Sequence, residues 1–338
     1  MKILILKLKN VILPFSICVF TIFLVIYSSS NLDAAKSGMI LWALSVVPSL
    51  FPFFVATELL SYTGIIEVLG KVLDKIMRPL FNVPGVGSFA FVMGIISGTP
   101  IGAKIVSNFR EQNSCTEIEC ERLLAFTNNS GPLFIIGTIG INMFSSQEIG
   151  YKLFIVHLLS CLIVGFLFRW WKSSYFRGQK NRSYCLATTS KKTVNFYNLG
   201  SVLQKSIQSA IKSILIIGGF VIIFSVIISM LSSSNLLVVL SKAIYPLLNL
   251  FNIPLKYSNS IIIGLIEVTN GLKNISTFNN NISIILCSFL LGFGGISILL
   301  QVYSITSKAK ISIKPYIIGK LLQALISAFI MWIWLYKF

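Results

Sequence analysis

Apolar residues in this chain come in long uninterrupted runs rather than alternating with polar ones. Nine runs are read, near residues 11–27, 39–63, 86–106, 122–144, 150–171, 211–232, 258–272, 282–304 and 315–336. Roughly 17–25 residues of helix cross a hydrocarbon core, and a continuous helix satisfies its own backbone there. The pattern predicts an all-α, polytopic membrane protein with about 8–9 apolar segments. Between the fifth and sixth runs lies KSSYFRGQKNRSYCLATTSKKTVNFYN, too polar and basic to bury, which splits the chain in two.

The two sides repeat. Sliding one over the other by 170 positions puts LFNVP (Leu80–Pro84) on LFNIP (Leu250–Pro254), Gly94 on Gly264 and Thr99 on Thr269, without gaps. After a small change of offset, Asn129-Ser130-Gly131-Pro132 lands near Gly292-Phe293-Gly294-Gly295. A fixed internal period of this kind indicates duplication. The expected organisation is an N-terminal transmembrane helix over 1–37, a membrane repeat over 38–171, a basic cytoplasmic loop over 172–209 and a second repeat over 210–338. Lys2, Lys7 and Lys9 ahead of the first run resemble the start of a signal peptide, but SSSNLDAAKSG offers no small-x-small cleavage site, so the run is read as a retained helix.

Charge then sets the orientation. Lys and Arg in short loops favour the cytoplasm, which puts the N-terminus inside. Five crossings would then place outside the loop that holds Lys172, Arg177, Lys180, Arg182, Lys191, Lys192 and Lys205. Either the first helix is oriented the other way or one segment of the first half turns back; the second reading is taken, and VPSLFPFF, with Pro48 and Pro52, is the first candidate. The second half repeats the conflict, because three segments separate this loop from Lys308, Lys310 and Lys314. One re-entrant segment per half makes the repeats inverted, the arrangement of transporters whose site lies at the bilayer midplane.

The composition agrees. Of 338 residues, 55% are hydrophobic and 11% charged, against roughly 25% charged in soluble domains, and mean hydropathy is +0.85. The net charge of +18 sits in termini and loops, the topology-setting pattern, so nucleic acid is not expected as a partner. The six cysteines have no zinc or redox spacing. The single histidine, His157, reads as packed or pore-facing. No cofactor or metal site is expected.

Candidate chemistry lies where polar residues interrupt the runs. In SGTPIGA, Gly98 and Gly102 relax the helix, and Pro100 removes a donor and disfavours helical geometry at Thr99. Asn128, Asn129, Ser130, Gly131 and Pro132 break a second segment, and EVTNGLK (Glu267–Lys273) and GFGG (Gly292–Gly295) are the paired breaks of the other half. Half-helix N-termini offer unsatisfied N–H groups to an anion. Lys104 would add a full charge, while Ser97, Thr99, Asn128, Asn129, Ser130, Thr269 and Asn270 offer donors and acceptors. Glu267, an acid inside an apolar run, is a functional candidate by default, with three roles open to it: pairing with Lys104 or Lys273, carrying a proton, or ligating a coupling cation. The candidate binding set is Ser97, Gly98, Thr99, Pro100, Lys104, Asn128, Asn129, Ser130, Gly131, Glu267, Thr269, Asn270 and Gly294.

The stretches SVVPSLFPFFV, PLFNVPG, GIISGTPIGAKIV, ERLLAFTNNSGPLFIIGTIG and GLIEVTNGLK, spread over residues 38–336, resemble the sporulation integral membrane proteins of the YlbJ type, which carry nucleoside-recognition (Gate) domains. The chain departs from them at Thr99, where the family usually has a tyrosine. The resemblance implies a spore-forming bacterium, the outer forespore membrane, and movement of dipicolinic acid from mother cell to forespore. It also implies a distant likeness to concentrative nucleoside transporters, with their inverted repeats and re-entrant hairpins. A small planar dianion suits a site of helix N-termini, a lysine and amides. A nucleoside-type or cation-coupled transporter and a non-transporting sporulation scaffold remain alternatives, and the coupling ion and oligomeric state stay open. An intramembrane enzyme is not expected, since no nucleophile and base, carboxylate pair or metal set is present.

Overall fold

A computed structural model of the chain describes residues 2–172 and 197–337, all helical or in turns. Arg177, Lys180, Arg182, Lys191 and Lys192 of the predicted basic loop lie outside them. After α1 (Lys2–Ile26) comes α2 (Ser28–Leu60), then α3 (Ile65–Phe81), α4 (Gly87–Ile96), α5 (Ile101–Glu111), α6 (Glu117–Thr127), the π-helical α7 (Leu133–Met143) and α8 (Gln147–Phe168). The second half runs α9 (Leu199–Ser233), α10 (Leu236–Asn249), α11 (Ser258–Ile266), α12 (Val268–Ser276), α13 (Asn281–Phe293), α14 (Gly295–Thr306) and α15 (Lys314–Lys337). The order of the two halves matches element for element: α2 with α9, α3 with α10, α4–α5 with α11–α12, α6–α7 with α13–α14, and α8 with α15.

The repeated LF-Asn-x-Pro motif is a helix terminator. Asn82 closes α3 in the left-handed region at φ 54°, and Asn252 stands past α10 at the same φ of 54°. Asparagine tolerates that region, and the proline two residues on cannot continue a helix.

The short helices decide the topology. At 1.5 Å per residue, the 10 residues of α4 and the 9 of α11 reach only about half of a 30 Å core. Each packs along its successor, α4 on α5 and α11 on α12, so each pair is a re-entrant hairpin. Among the described residues α6 and α7, and likewise α13 and α14, lack such lateral packing and run end to end as broken crossings. The turn-back element of the first half is thus α4–α5. VPSLFPFF, expected in that role, instead forms part of the single span Ser28–Leu60. Its helix survives because a wider π-helical turn at Trp42–Val46 precedes Pro48, which sits in the first turn of the next stretch where its missing N–H matters least.

Contacts between loops fix the faces. Arg122 in the middle of α6 donates to the carbonyls of Asn82 (2.8 Å) and Trp171 (2.7 and 3.0 Å), which brings the ends of α3 and α8 to one side. On the other side Tyr257, before α11, pairs with Asn280, before α13, at 2.8–2.9 Å. Helices α2 and α9 run antiparallel, with Ser229 reaching the Ser30 carbonyl at one end (3.2 Å) and Lys104 joining Glu58 and Ser209 at the other. Hairpin one therefore opens to the face carrying Lys71, Lys75, Arg110 and Lys172, and hairpin two to the opposite face. The repeats are inverted, and Ser107 near the end of α5 meets the Ile305 carbonyl near the end of α14 at 3.4 Å, so Lys308 and Lys310 lie on the same face as Arg110 and Lys172, in keeping with the positive-inside rule.

Candidate functional site

Hairpin one reaches the bilayer centre because its glycines admit the backbone of a neighbour. A Cβ on Gly94 would overlap the Thr127 carbonyl at the end of α6 and press against Gly102 of the returning arm. At the tip, Ser97 is buried and its hydroxyl bonds Thr57 on α2. Hairpin two closes differently. Glu267 has an extended backbone between α11 and α12, and its side chain accepts the N–H groups of Thr269 (3.1 Å) and Asn270 (2.8 Å). It is the N-cap of α12 and pairs with neither Lys104 nor Lys273. Its carboxylate thus occupies a half-helix N-terminus that the sequence had offered to an anion.

The tips and breaks enclose a cavity of about 50 Å³. Thr99 of hairpin one, Ser130 and Gly131 of the α6–α7 break, Glu267 and Thr269 of hairpin two, and Ser297 and Gln301 of α14 supply its polar lining. α2 and α9 close it from the side. Ligand sites span roughly 300–1,000 Å³, whereas a water occupies about 30 Å³ of liquid. As it stands the cavity admits water but not an aromatic ring with two carboxylates. A wider cavity of about 320 Å³ lies on the side to which hairpin two opens, lined by Ser37, Ser225, Ser229, Asn270 and Asn274 among others. Asn270 donates to Ser225 across it at 3.2 Å. The tip of hairpin two, residues 267–270, is the wall between the two spaces.

Five of the expected binding residues, Thr99, Ser130, Gly131, Glu267 and Thr269, therefore converge on one cavity, and Asn270 faces the adjoining one. The others support them from elsewhere. Lys104 is half-buried one turn below the tip, paired with Glu58 at 3.0 Å and Ser209 at 2.7 Å. Ser97 and Pro100 are buried at the tip, and Gly98 turns it at positive φ. Gly294 breaks α13 from α14 at φ 84°. The two asparagines are wholly buried behind the cavity wall: Asn128 accepts from the Ala103 N–H (3.4 Å) and donates to Tyr316 (3.2 Å), while Asn129 donates to the Phe126 carbonyl (2.7 Å). His157 packs there too, accepting the Ser130 N–H at 3.3 Å.

Sequence reasoning missed Ser49, Ser297 and Gln301 in the cavity, and Lys320 and Gln323 behind it. Lys320, in the second turn of α15, is 4% exposed. The signal was present, because an ionisable residue inside an apolar run marks a functional position by default.

Comparison with known proteins fits this geometry. The nucleoside recognition (Gate) family matches residues 43–161 and 214–310, one stretch in each half. The sporulation integral membrane protein YlbJ of Bacillus subtilis (strain 168) is 36% identical, with 91% of this chain and 78% of that protein covered. Among solved structures, a double variant of CNTnw in an outward-facing state is similar at a TM-score of 0.54 and 14% identity, over 96% of this chain and 86% of that one. A single variant of CNTnw in its intermediate 1 state gives 0.52 and 14%, over 96% and 84%. At that identity the likeness is one of fold.

Proposed function

The chain belongs to the nucleoside recognition (Gate) family, and from that premise we propose that this transporter-like integral membrane protein carries a small organic anion, dipicolinic acid first, from mother cell to forespore across the outer forespore membrane. The observation that carries the reading is the convergence of two hairpin tips and the broken crossings on one polar cavity. Such an arrangement of irregular backbone inside hydrocarbon is tolerated where it lines a path. The N-terminal ends of α7 and α14, with the hydroxyls of Thr99, Ser130 and Ser297 and the amide of Gln301, supply the donors a carboxylate needs. The link to sporulation rests on the Bacillus subtilis relative.

The closed cavity implies that hairpin two moves to admit cargo. Its tip separates the cavity from the wider serine-lined space, and its own carboxylate caps it. One observation favours a second cargo: Glu267 on the wall is an acceptor, which suits the hydroxyls of a neutral nucleoside better than it suits a dianion. The test is uptake of labelled dipicolinate by vesicles holding the purified protein, with nucleosides and other dicarboxylates as competitors. Saturable uptake blocked by unlabelled dipicolinate and not by nucleosides is expected. Uptake of labelled nucleoside, with none of dipicolinate, would replace the first cargo by the second.

A further inference from the structure

The ammonium of Lys320 lies in the polar layer behind the α6–α7 break. It donates to the Gln323 side-chain oxygen at 2.8 Å, approaches Asn129 Oδ1 at 3.5 Å, and stands 5.9 Å from the Tyr316 ring centre. Among the described residues no carboxylate comes within ion-pair distance of it. Burying an unpaired ammonium is costly, so its surroundings must offset the loss of water. They do so with the amide oxygens of Gln323 and Asn129 and an aromatic face, and the carbonyl end of α6 reaches the ammonium only through Asn129. Asn129 links the two, bonding the Phe126 carbonyl of α6 through its nitrogen while its oxygen takes Gln323 Nε2 at 3.1 Å as well as Lys320.

A helix broken in mid-bilayer leaves carbonyl ends that a cation can complete. Here the cation is covalently held. We propose that Lys320 is a tethered cation that permanently fills a monovalent-cation site at the α6–α7 break, so that the transport cycle needs no dissociable alkali cation there. The inference rests on the transporter reading for its consequence, though not for the site itself. Lys320 acts as a positioning residue, fixing Asn129 and Gln323 and through them the Ser130–Gly131 wall of the cavity.

The prediction concerns which cations the protein notices. The full-length protein is purified in choline chloride and its thermal unfolding followed as sodium, potassium or lithium chloride replaces choline at constant ionic strength, with dipicolinate uptake measured in the same salts. The wild-type protein and Lys320→Arg are expected to be indifferent, in unfolding and in uptake. Lys320→Gln keeps the oxygen donors and removes the charge; its unfolding temperature should be lower in choline and rise saturably by about 5 °C with one of the alkali cations. A saturable response to an alkali cation in the wild-type protein, or in folded Lys320→Arg, overturns the proposal, as does a Lys320→Gln protein as stable as wild type in every salt. Should Lys320→Gln not fold, the wild-type and Lys320→Arg responses decide alone, indifference supporting the proposal. If the unfolding pattern holds while no uptake of any cargo is found, the tethered cation stands and the transporter reading falls.

Discussion

Hairpin one and hairpin two occupy equivalent places in the inverted repeats, yet positions 170 apart carry Ser97 in one and Glu267 in the other. The two side chains do opposite things. Ser97 turns outward to Thr57 on α2, and Lys104 below it joins Glu58 on α2 and Ser209 on α9. Glu267 turns inward and caps its own helix, leaving Asn270–Ser225 as its tip's side-chain bond to α9. One backbone device thus occurs twice, and substitution left one copy tied by side chains to α2 and α9 and the other capped by its own carboxylate. The same asymmetry separates the breaks: the α6–α7 break is wrapped in Asn128, Asn129, His157, Lys320 and Gln323, whereas Gly294 and Gly295 make the α13–α14 break at positive φ without polar side chains of their own.

The largest effect that tests this comparison is on folding. Gly94→Ala would drive a methyl group into the Thr127 carbonyl, which cannot rotate away, whereas Gly264→Ala meets the Leu290 side chain, which can. Gly94→Ala should cost about 3 kcal/mol or more and Gly264→Ala about 1–2 kcal/mol, read as unfolding temperatures of the two proteins in detergent. Equal costs would mean that the hairpins are held alike.

On transport, Glu267→Gln keeps an oxygen for capping α12 but removes the charge. Dipicolinate uptake should fall by more than about tenfold, equivalent to 1.4 kcal/mol, with little change in unfolding temperature, whereas Ser97→Ala should lower uptake by no more than about fivefold, since a single neutral hydrogen bond contributes about 1 kcal/mol. If Ser97→Ala proved as damaging as Glu267→Gln, the functional asymmetry of the tips would be gone. A smaller effect should come from the anchor. Lys104→Met leaves Glu58 without its partner and should reduce uptake about threefold, and adding Glu58→Gln should restore part of the loss, because contacting residues do not act additively. Additive losses in the double variant would show that the ion pair does not tether hairpin one.

Much of the architecture was legible in the chain itself. The helix-terminating LF-Asn-x-Pro motif, the parity of the basic loops and the four polar interruptions are properties of residue order, since helix breaking and loop charge act locally. The same locality explains the error at VPSLFPFF: two prolines signal a break, but Pro48 falls in the first turn after the π-helical stretch and Pro52 is carried inside the helix. The site was half legible. Thr99, Ser130, Gly131, Glu267 and Thr269 were recognisable as polar positions in apolar runs, and they do line the cavity.

What the sequence could not express is direction. Asn128 and Asn129 looked like ligand residues, but packing turns them away from the cavity to α5, α6 and α15, and Lys104 spends its charge on Glu58. Lys320 and Gln323 lie 191 and 194 positions from the Asn129 they hold, a relation no window along the chain contains. Residue order determined where the helices break and which way the repeats face, because those follow from backbone chemistry and from charge at the membrane surface. Only the tertiary structure decided which polar groups meet, because a buried donor or charge takes its partner from whichever helix packing brings within about 3 Å.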